Sequence, residues 1–496
     1  MKTIVIGSGF SSLSAATHLA HAGYDVTVLE KNSMPGGRAR TFSEQGFTYD
    51  MGPSWYWMPE IFEKYFNKFG FKISDYYQLV RLNPSYRVYF DKYDSIDVPA
   101  SYTELQQLFE SIEKGSASKL DQYMAEAQYK YEAGMRQFVY KPGLSFAEYL
   151  TPQVLSSSLR LDLFQSIHSH VRKYFTNPRL IKLMEFPVLF LGGHPQNTPA
   201  LYSLMNYADI KLGTWYPMGG MGKIVDAMYN LAQHKGVKFC FGEEVKSIQV
   251  LDNHVVSVST QTFQYPCDVI VSGADYHHTD TQLLHEKANY KLSYWEHKVM
   301  APSCLIFYIG LNKKLKNAVH HTLFFDKDMY KHAQQIYNMP DWPSEPLFYV
   351  CTPSITDSSV APIGYENMFF LMPISAGLHD NEALRHKYFD ILVHRYEYIT
   401  GENIKEHIIY QKSYCINDFM ADYHAYKGNA YGLANTLMQT GIMKPSLKSK
   451  KLTNMYYTGQ LTVPGPGVPP ALISGEIAAH EIVKNHKIST YHVDII

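Results

Sequence analysis

The chain has 496 residues, 46% of them hydrophobic and 18% charged, which is core material for two or three packed units. Lys and Arg total 45 against 46 Asp and Glu, a net charge of −1 that argues against nucleic acid as the main partner. Five cysteines (Cys240, Cys267, Cys304, Cys351, Cys415) stand too far apart for Cys-x-x-Cys chemistry, so reduced thiols are expected and no metal site.

In chain order, "TIVI" (3–6) reads as a buried parallel strand, 12–22 as a helix with small residues toward a sheet, and "YDVTVLE" (24–30) as a second strand. Helical patterns rich in Tyr and Met follow at 102–115 and 118–140. A glycine-rich turn, a helix and a strand return over 216–250, and "CDVIVSGAD" (267–275) reads as another buried strand. Residues 290–430 alternate strands and loops, and 470–486 close the chain as a helix. The expected class is α/β: a Rossmann-like nucleotide-binding domain in three segments (1–75, 215–290, 441–496). A helical region (76–214) and a mixed-sheet substrate domain (291–440) are inserted between them. "MKTIVIGSG" runs straight into a strand, so no signal peptide is expected. The apolar run 459–475 carries four prolines and "FPVLFLGG" (186–193) is short, so no membrane-spanning helix is expected either.

"GSGFSS" (7–12) nearly spells the dinucleotide fingerprint Gly-x-Gly-x-x-Gly. Gly7 permits the tight turn, Gly9 a close backbone approach, and the amides of Phe10 and Ser11 sit at a helix N-terminus that favours an anion. Ser12 replaces the third glycine, whose task is helix–strand packing, so the departure is expected to weaken packing more than binding. Glu30 ends the second strand about 20 residues on, where a carboxylate holds ribose hydroxyls. "KNSMPGGRAR" (31–40) then adds two glycines and Arg38, which can bring backbone and one positive charge back to the pyrophosphate of an extended cofactor.

These stretches, with "YPMGGMGKIVDAM", "VSGADYHHT", "HHTLFF", "TPSITDSSVAPIGYENMFFLMP" and "NMYYTGQLTVPGPGVPPALISG", resemble the bacterial-type phytoene desaturases over essentially the whole chain. That family lies within the FAD-dependent amine-oxidase-like superfamily. The resemblance implies FAD as cofactor, with Gly459 and Val468 near the flavin, Val245 near the adenine, and Gly52, Pro53 and Ser54 beside the isoalloxazine. It implies an acyclic carotenoid substrate, double-bond formation from phytoene toward neurosporene or lycopene, and oxygen or a quinone as terminal acceptor. A hydroxycarotenoid 3,4-desaturase, a carotenoid isomerase, an amine oxidase or a non-enzymatic prenyl-lipid carrier are the alternatives on the same scaffold.

Hydride removal from an allylic carbon acidifies the neighbouring C–H, so a weak base or water suffices and positioning carries the chemistry. The weak polar candidates are His168 and Arg172, which share a helix face at i and i+4, with His170 pointing elsewhere. A solvated face is the plainer reading of that helix, and the histidines of "ADYHHT" are expected to cap a turn. A substrate of hydrocarbon implies a cytoplasmic protein docked peripherally on a membrane. "MEFPVLFLGG" (184–193) is the expected apolar entry, with Lys141, Arg172, Lys173 and Arg179 available for headgroups.

Overall fold

The computed structural model describes residues 1–150, 161–190 and 192–487, the side chains of Tyr149 and Phe190 excepted. Two sheets organise it. The first has five parallel strands in the order Met455–Tyr457, Val269–Ser272, β1 (Lys2–Ile6), β2 (Asp25–Glu30) and Lys238–Phe241. β1 lies at its centre, which is why four of its five residues are buried on both faces. Strands from 1–75, 215–290 and 441–496 thus meet in one sheet, with α1 (Phe10–His21), Gly222–His234 and the closing helix Val468–Asn485 packed beside it. α1 begins at Phe10, two residues before the expected start, because Gly9 is already its N-cap. The closing helix starts at Val468 with prolines in its first turn, where their missing amides lose nothing.

The second sheet has seven strands, ordered Ile408–Tyr414, Ser303–Leu311, Glu366–Ile374, Phe348–Cys351, His321–Phe324, Tyr86–Asp91 and Asp94–Val98. Its pairings are antiparallel except that between His321–Phe324 and Tyr86–Asp91. Tyr86–Asp91 and Asp94–Val98 come from the stretch 76–214, expected to be helical, so that stretch also completes the substrate sheet. All nine residues of Ser303–Leu311 are buried, because the sheet is covered on both faces. The helix Glu382–Thr400 lays Tyr388, Leu392 and Tyr396 on one face. Tyr123, Phe175, Met184 and Phe186 cover the other.

That second layer overturns one expectation. In "MEFPVLFLGG", Met184, Glu185, Phe186 and Val188 are buried, and Phe186 packs against Trp55, Tyr86 and Phe325. The segment covers the sheet instead of meeting solvent, Leu189 being half-buried; Leu191 and the Phe190 side chain lie outside the described residues. Two of the expected headgroup cations are engaged as well, Arg179 with Asp94 at 2.8 Å and Lys173 with Gln165 at 2.6 Å. No described helix is long and apolar enough to cross a membrane. The five cysteines are unpaired, four of them buried.

Candidate functional site

A cavity of about 360 Å³ runs between the two sheets. It brings together Gly7, Gly9, Phe10, Ser11, Glu30, Arg38, Gly52, Pro53, Ser54, Val245, Gly459 and Val468, all twelve residues expected at the cofactor. The turn after β1 enters it first. Gly7 takes a φ of 87°, a left-handed backbone that a side chain would strain. A Cβ at Gly9 would meet nothing within 4 Å, so this turn presents bare backbone to the cavity. The first amides of α1 have no acceptor within the helix and are free for an anion.

Ser12 meets Gly273 across the helix–strand contact: a Cβ at Gly273 would lie 1.9 Å from Ser12 Oγ. Gly273 at the facing strand end gives the Ser12 hydroxyl its room, which corrects the expectation that Ser12 loosens the packing. A similar economy seats the closing helix, where a Cβ at Gly475 would lie 2.1 Å from Ser11 O.

Glu30 does more than end β2. It is 4% exposed, and its Oε2 accepts from the Ser8 amide at 2.8 Å and the Ser8 hydroxyl at 2.7 Å. Its Oε1 accepts from the amide and side chain of Asn32 at 2.8 and 2.9 Å. The carboxylate therefore ties the glycine turn to the end of β2. Arg38 is half-buried over the Tyr423 ring at 5.1 Å and donates through Nη2 to Asn429 O at 3.2 Å. Its Nε is buried without a partner, and burial pulls its pKa down against the pull of Asp275. A guanidinium with one buried, unmet donor on a cavity wall, beside bare glycine backbone, fits the pyrophosphate of a dinucleotide.

Asp275 was missed by sequence reasoning, although "VSGAD" marked the strand end. It accepts from the amides of His278 and Tyr426, both at 3.2 Å, so the cap of this turn is Asp275 and not its histidines. His278 stacks on His424 at 4.0 Å on the cavity wall, and burial lowers its pKa to about 3. Trp55, Tyr349 and Tyr431 also line the cavity without having been singled out, because their approach depends on the second sheet.

His168 and Arg172 do not reach this cavity. Arg172 Nη1 lies 2.9 Å from His168 Nδ1, as the i, i+4 spacing implied, but both turn onto Glu185, which is fully buried. Arg172 bonds to that carboxylate and donates to Tyr330 Oη at 2.7 Å. The face expected to be solvated is a structural clamp. His170 is buried beside Lys130, and burial lowers its pKa to about 4.

The flavin containing amine oxidoreductase family model matches residues 10–483. A carotenoid 3,4-desaturase of Haloarcula japonica is 39% identical over 97% of this chain and 98% of its own. A zeta-carotene-forming phytoene desaturase of Myxococcus xanthus is 28% identical over 97% and 94%, and a 4,4'-diapophytoene desaturase of Staphylococcus aureus 30% identical over 98% and 99%. Among solved structures, an oxidoreductase from Methanosarcina mazei superposes with a TM-score of 0.64 at 16% identity, covering 96% of this chain and 99% of that one. A putrescine oxidase superposes with a TM-score of 0.63 at 11% identity, covering 98% and 99%. These two share the fold. The chain belongs to the flavin-containing amine oxidoreductase family, among its carotenoid desaturases, and is an FAD-dependent oxidoreductase.

Proposed function

We propose that the chain forms carbon–carbon double bonds in an acyclic carotenoid. The carrying observation is the 39% match along the whole chain to a carotenoid 3,4-desaturase, against 28% and 30% for the phytoene-type relatives. That difference favours 3,4-desaturation of a carotenoid already partly unsaturated or hydroxylated over the phytoene-to-lycopene sequence. Phytoene desaturation is the second reading, supported by the two latter relatives.

FAD, when bound, supplies the two-electron acceptor. Gly7, Gly9 and the amides of Phe10 and Ser11 hold its pyrophosphate with Arg38 in this reading. Glu30 sets the ribose side, Val245 the adenine, and Gly52, Pro53, Ser54, Gly459 and Val468 the flavin end. The wall residues Trp55, Ile306 and Phe419 give an apolar flank where a polyene can lie and water is excluded. Reoxidation falls to oxygen or a quinone.

Peripheral membrane docking follows from the substrate. At about 0.8 kcal/mol per buried carbon, a hydrocarbon of roughly forty carbons costs on the order of 30 kcal/mol to expose to water. Exposed Phe146, Leu150 and Phe164 support docking through the segments that carry them in place of 184–193, and exposed Leu437 and Met438 add apolar surface. Purified protein with FAD, offered phytoene or a hydroxylated carotenoid in liposomes, tests the reading by chromatography of the products. Turnover of phytoene alone would reverse the preference, and turnover of neither would overturn the desaturase reading.

A further inference from the structure

One hydrogen-bonded chain leads out of the cavity from Ser54 at its flavin end. Ser54 and Tyr349 are both buried and both line the cavity. Ser54 Oγ lies 2.9 Å from Tyr349 Oη, and Tyr349 Oη lies 2.7 Å from His321 Nδ1. His321 is fully buried behind them, off the cavity wall, and its Nε2 has no hydrogen-bond partner.

The sheet builds this arrangement. His321 stands opposite Cys351 in the antiparallel ladder, and Tyr349, two residues along, shares the same face. Trp55, itself on the cavity wall, stacks on the imidazole at 4.2 Å and 8°, which fixes the ring plane. Ser54 and Trp55 are neighbours in "DMGPSW", so one loop supplies both the hydroxyl and the stacking ring.

Resting on the desaturase reading, we propose that Tyr349 is the proton acceptor of the reaction and His321 the group that receives the proton behind it. Forming one double bond breaks two C–H bonds. A hydride, with both electrons of its bond, leaves to the FAD that the family uses. The neighbouring carbon releases a proton, and its C–H electron pair becomes the new π bond. Tyr349 Oη takes that proton as its own passes to His321 Nδ1, leaving a neutral phenol and an imidazolium. Ser54 orients the phenol from the cavity side. Burial holds His321 well below the ordinary histidine pKa, so the ring rests neutral with its Nδ1 lone pair accepting from Tyr349 Oη, and it gives the proton up again after product leaves. A weak base is adequate because the developing allylic cation makes the departing proton strongly acidic.

Tyr349→Phe removes the relay hydroxyl and keeps the ring; His321→Ala removes the acceptor. With a carotenoid and no oxygen, reduction of bound FAD should slow by about 10²-fold in each, the low end of general acid–base catalysis, with FAD content unchanged. Imidazole should restore rate to His321→Ala and not to Tyr349→Phe, and the solvent isotope effect of the parent should vanish in Tyr349→Phe. In the resting protein without substrate, nitrogen-labelled histidine spectra should show a neutral His321 whose Nδ1 resonance moves in Tyr349→Phe. A parent that no carotenoid reduces overturns the functional reading and the relay with it. A parent that is reduced while Tyr349→Phe keeps its rate and isotope effect overturns the relay alone and leaves water as acceptor. If His321→Ala fails to fold, Tyr349→Phe carries the test.

Discussion

Ser12 and Gly273 exchange size across the contact between α1 and the strand Val269–Ser272: the hydroxyl of one occupies the space where the other lacks a Cβ. Ser12 is fully buried and its Oγ has no hydrogen-bond partner, so the contact is packing alone. Gly273→Ala should therefore destabilise the protein by about 1–3 kcal/mol through overpacking. Adding Ser12→Gly should restore most of the loss. Urea unfolding of the single and double variants measures both, and an unchanged midpoint for Gly273→Ala would show the contact to be loose.

Glu30 accepts four hydrogen bonds, two of them from Ser8 inside the glycine turn. Glu30→Gln places a donor amide where Ser8 or Asn32 also donates, and Glu30→Arg removes every acceptor. FAD affinity should fall by roughly 1–3 kcal/mol for the first, the scale of one lost charge-assisted contact, and further for the second. Fluorescence titration of apoprotein with FAD reads the change. Parent-like affinity in Glu30→Arg would disconnect this carboxylate from the cofactor site.

Arg172 supports the buried Glu185 together with Tyr330 Oη, which donates to it at 2.6 Å. Arg172→Ala leaves a carboxylate with no counter-charge beyond His168, and should lower stability by about 3 kcal/mol. The clamp is off the cavity, so the reduction rate of FAD per folded molecule should stay near that of the parent. A large rate loss in folded Arg172→Ala would return this pair to the chemistry.

His18 rests buried in α1, where burial lowers its pKa to about 3 from the ordinary 6.5, against the opposing pull of Glu476. The unfolded chain binds this proton more tightly, so the stability His18 contributes is complete above pH 6.5 and is lost as pH falls toward 3. Asp50 and Asp209 act oppositely: burial raises each to about 6, and the folded state gains from their protonation as pH falls. The comparison of parent with His18→Leu isolates the histidine. The fall from 6.5 to about 3 is worth on the order of 5 kcal/mol, so the variant should lose less stability than the parent between neutral pH and pH 4. Parallel stability curves would sink the assignment.

Phe146 is 67% exposed and Phe164 93% exposed, whereas the core of 184–193 is closed against the second sheet. Glutamate at both phenylalanines should release the protein from floating liposomes while FAD stays bound. Glutamate at Phe186 should instead unfold it, since a charge would enter the core without a partner. A double variant that floats like the parent would move the docking surface elsewhere.

The sequence by itself determined the glycine turn and the strand end that open the cavity. Its turn residues carry their own backbone demands: Gly7 needs a left-handed φ, Gly9 an empty flank, and Glu30 a place one strand away. Such requirements are local, so they are written at fixed spacings and can be read there. The family motifs extended that reading across the chain to Gly459 and Val468, which the fold brings to the same cavity. Only the tertiary structure decided what "MEFPVLFLGG" does, because an apolar run has the same composition whether it meets a bilayer or a sheet face. It also decided that Tyr86–Asp91 pairs with His321–Phe324, a strand that begins more than two hundred residues later, a pairing no local pattern encodes. The chain from Ser54 through Tyr349 to His321 spans residues 54 to 349, and three ordinary polar side chains become a path only when the loop bearing Ser54 closes on two paired strands of the second sheet.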